Sequence, residues 1–332
     1  MRKIVECVPN FSEGKDKKII QAITSPIENI EGVKLLSVEP DADYNRTVVT
    51  FAGEPEAVLQ AAVESASKGL ELIDMRKHKG EHPRMGAVDV VPFIPVSGIT
   101  NEECIELSER FAQIISEKYS YPVYLYEDSA RKEERKNLAQ VRKGEYEALE
   151  EKLKLEEWKP DYGPANFVPK YGATATGCRF FLIAYNVNLR TKDKDIANKI
   201  AKTLRESGYK KTLDNGEKVR VPGRLKAVKG MGFYLDNYGV SQVSMNLINF
   251  RITPPHIAFE EVKKEADKYD IEVSGSELVG LIPEEAILMA GKYYAPNDSL
   301  TNEQLVELAA EKMNLSDLYP VDIKKRIIEY LV

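Results

Sequence analysis

The chain has 332 residues, 43% of them hydrophobic, and its 47 Lys plus Arg against 53 Asp plus Glu give a formal net charge of −6. This apolar content excludes a disordered chain, and the length corresponds to about two domains. The acidic balance argues against nucleic acid and membrane surfaces as partners, so any anionic ligand must meet a local basic patch.

Short β-rich runs alternate with helical patterns through the first half of the chain. The predicted order is strand, helix, strand, strand, helix, strand, helix, strand. The strands cover residues 3–8, 33–38, 46–51, 88–96 and 123–126, and the helices cover residues 16–27, 55–73 and 100–119. The charge-rich residues 129–158 are predicted to form exposed helices that connect or decorate the core.

The second half of the chain echoes this order. Its predicted strands cover residues 179–189, 225–235, 240–250 and 271–278, its helices cover residues 193–207 and 255–269, and its tail is helical. The echo predicts an α+β (α/β) fold with two similar lobes, residues 1–177 and 178–332. Each lobe is expected to be a sheet with helices packed on one face, and the cleft between lobes is the expected ligand site.

The apolar runs and the cysteines indicate a compartment. No run reaches the roughly 18 apolar residues of a membrane span, and the first residues lack the apolar segment of a signal peptide. Cys7, Cys104 and Cys178 form an odd, sparse set without a CxxC motif. This pattern favours a reducing cytoplasm and argues against a disulfide framework or a thiolate zinc site.

The residues 76–86, RKHKGEHPRMG, carry two of the three histidines in the chain together with four cationic side chains. Gly80 and Pro83 break any helix, so this stretch is predicted to be a loop before the strand at 88–96. Three interpretations compete: a zinc site of the H-x-x-E-H type formed by His78, Glu81 and His82; a solvated basic loop; or a general acid/base histidine in an anion pocket. The zinc site requires a helix that Gly80 and Pro83 disfavour.

Two further stretches are candidates for ligand contact. Residues 167–177 are rich in Gly and Thr, but Cys178 and Arg179 stand where a phosphate loop needs Lys and Ser or Thr. This stretch is therefore either a ligand-wrapping loop or a connection between the lobes. The acidic turn with Glu39, Asp41 and Asp43 is a solvated hairpin if it is considered alone.

Several motifs together resemble the glutamate formimidoyltransferase family. They are VECVPNFSEG at 5–14, NRT at 45–47, HKGEHPRMG at 78–86, GPANFVP at 163–169, GAT at 172–174, PGRLK at 222–226, QVS at 242–244 and IIEYL at 327–331. The resemblance covers essentially the whole chain and extends to the transferase half of formimidoyltransferase-cyclodeaminase, so no cyclodeaminase activity is expected. The chain departs from the family pattern at Glu39, where Asp is frequent, and at Tyr44, where His is common.

The resemblance implies folate one-carbon chemistry in histidine degradation. The formimidoyl group of N-formimidoyl-L-glutamate would move to N5 of tetrahydrofolate, with release of L-glutamate and with no metal. A folate channel between two similar lobes and a homodimer are typical of the family. The resemblance places the catalytic histidine at His82 and folate binding at Gly163, Pro164, Ala165, Asn166, Phe167, Val168, Pro169, Lys170, Tyr171 and Gly172.

The remaining site hypotheses concern charge. Arg84 and Arg46 are expected to hold substrate carboxylates, because guanidinium groups bind carboxylates through paired donors. Glu39 or Asp41 is expected to orient the ring of His82 or to stabilise a cationic amidine. Besides the transferase, a zinc-dependent hydrolase that uses His78, Glu81 and His82 and a non-catalytic folate-binding protein are the alternatives.

Overall fold

The computed structural model describes residues 2–80, 83–214 and 216–332. It divides into two compact units, one formed by the described residues up to 179 together with 331–332, and the other by residues 180–330. Both units combine helices with β-sheet, which confirms the predicted mixed α/β class with two lobes. Among the described residues, no helix combines the length and the apolar character that a membrane crossing requires.

A mixed sheet forms the centre of the first unit. Its strands are β1 (Ile4–Cys7), β2 (Asn10–Phe11), β3 (Val33–Asp41), β4 (Arg46–Gly53), β5 (Val88–Ser97), β6 (Val123–Leu125) and β7 (Thr174–Cys178). Strands β3, β4, β1 and β5 lie side by side in antiparallel pairing, and β2 also pairs with β4 and β5. Strand β7, which was not predicted, lies between β5 and β6 and pairs in parallel with both.

Three long helices, α1 (Lys17–Glu28), α2 (Pro55–Leu72) and α3 (Asn101–Tyr119), share one apolar core with the sheet. Their first turns follow from local sequence. The Asp16 side chain accepts hydrogen bonds from backbone N–H groups of α1, and Thr100 forms a capping box with Glu103 at the start of α3. The apolar stripes of these helices then pack against one face of the sheet.

The charge-rich segment after β6 differs from its prediction. It folds into two short helices, α4 (Leu138–Val141) and α5 (Leu149–Lys152), with 3-10 turns before α4 and after α5. Most of its residues are exposed, as expected, but the helices do more than decorate the core, because Val141, Leu149 and Leu153 pack with strand residues in a second core. This second core also includes Met85, from the loop that precedes β5. The segment therefore attaches to the predicted functional loop.

The second unit repeats the order of the first. Its strands are β8 (Ile183–Leu189), β9 (Tyr209–Thr212), β10 (Lys218–Val221), β11 (Val228–Leu235), β12 (Val240–Leu247) and β13 (Val273–Val279). Strands β11, β12, β8 and β13 are neighbours in antiparallel pairing, while β9 and β10 form a separate two-stranded hairpin. Each unit thus has four antiparallel core strands, β1, β3, β4 and β5 in the first and β8, β11, β12 and β13 in the second. Counted along the chain, their order across the sheet is second, third, first and fourth in both units.

The helices of the second unit are α6 (Lys194–Leu204), α7 (Pro255–Ala266), α8 (Glu284–Tyr294) and α9 (Asn302–Lys312). Helix α6 packs on β11 and β12, and α7 packs on β8 and β13. The predicted helix to residue 269 ends earlier, because a 3-10 turn covers Asp267–Tyr269 and Asp270 takes a left-handed conformation. Both units therefore pack helices over four antiparallel core strands, three helices in the first unit and two in the second.

Candidate functional site

Three connections of the first unit meet at Asn45. These are the loop before α1, the turn between β3 and β4, and the loop at residues 73–87, which is called the basic loop below. The Asn45 Oδ1 atom accepts a hydrogen bond from Gly14 N at 3.0 Å, and Asn45 Nδ2 donates to Lys79 O at 2.9 Å. Asn45 itself has a left-handed backbone, with φ of 49°, which Asn tolerates better than most residues. The separate motifs at 5–14, 45–47 and 78–86 are therefore joined in space.

The close approach of these connections requires glycine at residue 80. A side-chain Cβ atom there would lie 2.3 Å from the carbonyl oxygen of Tyr44 and 2.8 Å from Cβ of Asn45. Such distances are far below van der Waals contact, so any side chain would push the basic loop away from the turn. The flanking Glu81 and His82, which enter the catalytic and zinc hypotheses, lie outside the described residues.

His78 is held at both ring nitrogens. Its Nε2 lies 2.9 Å from the carbonyl oxygen of Asn45, and Arg84 Nε donates to its Nδ1 at 3.3 Å. This pair of contacts assigns the proton to Nε2, because a carbonyl only accepts and the guanidinium only donates. Burial lowers the pKa of His78, which favours the neutral ring. His78 is thus a positioning residue that connects Arg84 to the β3–β4 turn.

Arg84 is buried, although sequence places it in an exposed-looking basic run. Its NH1 and NH2 atoms donate to the two carboxylate oxygens of Glu147 at 2.8 and 2.7 Å, and NH1 also lies 3.3 Å from Glu145 Oε2. Hydrogen bonding from Arg84 lowers the pKa of Glu147. The fork that was expected to take a substrate carboxylate therefore holds a carboxylate of the chain itself.

The predicted folate stretch, residues 163–172, is bonded to the basic loop along its backbone. Met75 N donates to Lys170 O at 3.0 Å, Ala87 N donates to Tyr171 O at 2.9 Å, and Gly86 forms a bridge with Gly172. Gly163, Ala165, Asn166 and Pro169 are exposed, and Phe167 is half-buried. The structure therefore brings this stretch next to residues 75–87 and leaves several of its side chains accessible.

Aromatic side chains also pack against the predicted folate stretch, residues 163–172. Tyr146 lies with its ring 5.4 Å from that of Phe167, and its hydroxyl donates to Pro169 O at 2.7 Å. The ring of Tyr171 packs edge-on against Tyr119 and Tyr121. Pro164 and Val168 are half-buried. Aromatic packing and the backbone bonds together hold the stretch in one position.

The acidic candidates lie on β3 beside the same turn. Asp41 pairs in register with Arg46 of β4, and its Oδ1 accepts from the backbone N–H groups of Asp43 and Tyr44 at 2.9 Å. Glu39 is exposed and accepts from Ser37 Oγ at 3.2 Å. Burial and the neighbouring Arg142 lower the pKa of Arg46, and Asp41 opposes that change. Asp41 therefore shapes the turn that carries Asn45.

A buried ion pair beneath the loop escaped sequence analysis. Asp89 of β5, only 2% exposed, pairs with Arg142, and its Oδ1 accepts from Met85 N at 2.8 Å. Burial raises the pKa of Asp89. The signal was present as a lone Asp in the apolar run at 87–96, but its partner is distant in sequence. Asp89 and Arg142 thereby tie the end of the basic loop to the segment that carries Glu147.

The charge of the basic loop is smaller than its composition indicates. Arg76 makes a two-point contact with Asp74, with distances of 2.8 and 2.7 Å, and Arg84 is paired with Glu147. Lys77 and Lys79 are exposed, and neither forms an ion pair within the part of the chain that the structure describes. Among the described residues of this loop, Lys77 and Lys79 are therefore the cations that face solvent without a carboxylate partner.

Comparison with known proteins gives matches over nearly the whole chain. Residues 4–179 match a family model described as formiminotransferase domain, N-terminal subdomain, and residues 184–332 match the formiminotransferase domain model. The chain is 52% identical to a Dictyostelium discoideum protein named formimidoyltransferase-cyclodeaminase, covering 100% of the chain but 61% of that protein. The chain thus spans about three-fifths of the length of that relative.

Shorter relatives match over almost their full length. The chain is 45% identical to a Streptococcus pyogenes serotype M1 protein named glutamate formimidoyltransferase, with 89% of the chain and 94% of that protein covered. A Thermoplasma acidophilum protein of the same name is 40% identical, with 93% of the chain and 98% of that protein covered. These two relatives have no large region that the chain lacks.

Proposed function

This chain belongs to the formiminotransferase domain family, and from that premise we propose that it is a glutamate formimidoyltransferase. It moves the formimidoyl group from N-formimidoyl-L-glutamate to N5 of tetrahydrofolate and releases L-glutamate. The observation that supports this most directly is the near-complete match to two relatives named for that activity. The alternatives, a zinc-dependent hydrolase or a non-catalytic folate-binding protein, receive no support from the names of these relatives.

The reaction exchanges one carbon–nitrogen bond for another. N5 of tetrahydrofolate attacks the formimidoyl carbon, and a bond forms that gives a tetrahedral intermediate. N5 then loses a proton, the bond from that carbon to the glutamate nitrogen breaks, and the departing nitrogen gains a proton. A histidine with a near-neutral pKa can carry that proton in both directions, and we assign this role to His82.

We propose positions for both substrates among the described residues. We propose that the stretch from Gly163 to Gly172 binds the folate, because it is held firmly by the basic loop while several of its side chains face outward. Arg84 and Arg46 are proposed to take carboxylates of the substrates. Glu39 or Asp41 is proposed to support His82 or the cationic amidine. Holding two reactants together contributes a large part of such catalysis.

The location and the assembly of the protein belong to the same proposal. Cys7, Cys104 and Cys178 are buried free thiols, which fits a reducing cytoplasm. A homodimer is proposed from the family resemblance. Tetrahydrofolate is a co-substrate in this scheme, and its consumption places the chain in folate one-carbon metabolism and histidine degradation.

An assay of glutamate release tests the proposed function. The purified chain is incubated with N-formimidoyl-L-glutamate and tetrahydrofolate, with and without a chelator. We expect release that requires tetrahydrofolate and is unaffected by chelation, and we expect His82→Ala to lower kcat by about 100-fold or more while a folate analogue still binds. The matched variant His78→Ala should retain more activity. Chelator-sensitive release, with equal losses in both variants, would favour the hydrolase.

A further inference from the structure

The outer edge of the Arg84 guanidinium carries two glutamates that differ from it sharply in exposure. The Arg84 side chain is 7% exposed, whereas those of Glu147 and Glu145 are 63% and 43% exposed. Glu147 makes the two-point contact described above, and Glu145 makes a longer contact to the same nitrogen. A buried cation is therefore neutralised by carboxylates that reach it from the solvent side.

The inner edge of the same guanidinium is fixed. Arg84 Nε donates to His78 Nδ1, the ring of Tyr146 lies 5.9 Å from Arg84 Cζ, and Tyr146 N donates to Arg84 O at 2.8 Å. The guanidinium cannot turn towards water without losing the contacts to His78 and to the Tyr146 ring, while the main-chain bond to Tyr146 holds the backbone of Arg84 in place. Because an unpaired buried charge is strongly unfavourable, the outer edge must keep at least one carboxylate, and the longer contact to Glu145 supplies one when Glu147 leaves. An acidic ligand at this edge must exchange with Glu147.

The backbone that carries the two glutamates is strained. Gly144 and Glu145 both have positive φ, at 87° and 56°, and Glu145 is a residue type that rarely adopts this conformation. The tight turn is closed by Glu145 N, which donates to Arg142 O at 2.7 Å. Arg142 is anchored by its ion pair with Asp89. Strain of this kind persists where surrounding contacts enforce it, and here it presents Glu145 and Glu147 to Arg84.

We propose that Glu147 is an internal competitor that occupies the carboxylate-binding edge of Arg84 until a substrate carboxylate displaces it. This inference rests on the proposed function for the identity of that substrate. One two-point carboxylate contact replaces another, so Arg84 stays neutralised throughout. The released Glu147 side chain is already largely exposed and becomes hydrated at little cost. Only an anion that offers two oxygens to the guanidinium, such as a carboxylate, can complete the exchange, which makes Glu147 a determinant of specificity for acidic substrates.

Variants that separate contact from charge test this exchange. Glu147→Asp keeps the negative charge but withdraws the carboxylate by one methylene, and Glu147→Gln removes the charge. Glu150→Gln, on an exposed residue of α5, is the matched control for loss of a nearby negative charge. We expect both Glu147 variants to lower KM for N-formimidoyl-L-glutamate by about threefold, the size of a partly exposed ion pair, with little change in kcat. Glu150→Gln should leave KM unchanged.

Isothermal titration with L-glutamate supplies a second readout that does not depend on turnover. We expect Glu147→Asp to bind L-glutamate about threefold more tightly than the unsubstituted chain. If the unsubstituted chain releases no glutamate in the assay, the proposed function fails, yet tighter binding in Glu147→Asp still supports the exchange. An unchanged dissociation constant for L-glutamate in Glu147→Asp overturns the proposed exchange. A lower kcat together with a lower melting temperature in Glu147→Asp also overturns it, because that result marks a structural role for Glu147.

Discussion

In the first unit the connection between the second helix and the last antiparallel strand covers residues 73–87, whereas in the second unit it covers residues 267–272. The strand order and helix placement of the two antiparallel cores are otherwise the same. The longer connection is the basic loop, and β6, β7 and the segment between them are additions that pack beside it. The proposed site is thus built on insertions into a repeated core, and loops on a rigid scaffold commonly carry function.

The turn between β3 and β4 of the first unit and the equivalent turn between β11 and β12 of the second unit show the same contrast. In the first unit Asn45 of this turn bonds to Gly14 and Lys79. In the second unit the corresponding turn contains Gly239, around which a Cβ atom would meet open space. The turn is therefore held by side-chain hydrogen bonds at Asn45 in the first unit, whereas at Gly239 no described atom lies within 4 Å of an added Cβ. Three pairs of measurements can break or sharpen this comparison.

The largest effect is expected from the buried ion pair under the basic loop. Arg142→Met leaves the carboxylate of Asp89 buried without its cation, so the free energy of unfolding should fall by about 3–5 kcal/mol. Arg190→Met breaks an exposed pair with Glu272 in the second unit and should cost about 1 kcal/mol or less. Urea unfolding of the full chain measures both, and equal losses would remove the proposed difference between the units.

Substitution of two glycines with similar backbone angles gives the next largest effect. Gly172 and Gly239 have φ of 72° and 67°, so Ala meets similar strain at both, but only at residue 172 would its Cβ lie 2.1 Å from Met85 O. Gly239→Ala should cost about 1 kcal/mol of unfolding free energy and Gly172→Ala about 3 kcal/mol or more. Folate-analogue binding should weaken only in Gly172→Ala. Equal losses of unfolding free energy in the two variants would mean that the basic loop moves away from residue 172 at little energetic cost.

The smallest effect concerns acid sensitivity in the second unit. Burial lowers the pKa of His256 to about 4, and its ring stacks on Tyr293. Between about pH 6.5 and 4 the unfolded chain binds a proton that the folded chain does not, so the free energy of unfolding falls as the pH falls. Solvent near the ring reduces the slope to a fraction of the roughly 1.4 kcal/mol per pH unit that one full proton would give.

His256→Phe keeps the ring stacked on Tyr293 and removes the titrating group. The free energy of unfolding of the unsubstituted chain, relative to this variant, should therefore decrease as the pH is lowered through that window. Chemical denaturation at several pH values measures the difference. Parallel profiles for the two proteins would show that His256 contributes nothing to acid sensitivity.

Hydrophobic periodicity predicted the repeated cores well, because each strand and helix there has a continuous apolar face. Strand β7 was missed since its sequence, Thr-Ala-Thr-Gly-Cys, has little apolar bulk. Its Thr174 and Thr176 hydroxyls donate to Val88 O and Val91 O, so the polar atoms are satisfied inside the sheet. The β9–β10 hairpin was also missed, although the Asn215-Gly216 dipeptide is a recognised turn signal.

The candidate site was predictable only where its residues are close together in the sequence. Residues that are close in sequence, such as His78 and Arg84, identified the basic loop, and the family motifs identified its neighbours. The contacts that decide what Arg84 does come from Glu145 and Glu147, about sixty positions away, and no local pattern marks them. The placement of Asp89 beneath the loop likewise depends on tertiary packing.

The bonds between the proposed folate stretch and the basic loop are made by main-chain atoms. Met75 N to Lys170 O, Ala87 N to Tyr171 O and Ala173 N to Met85 O are indifferent to the side chains that accompany them. These main-chain bonds and the aromatic packing of Phe167 and Tyr171 position the stretch, while its exposed side chains take no part in that positioning. Under the proposed function, exposed side chains such as that of Asn166 are the ones whose exchange should alter ligand preference while the main-chain bonds to the basic loop stay in place.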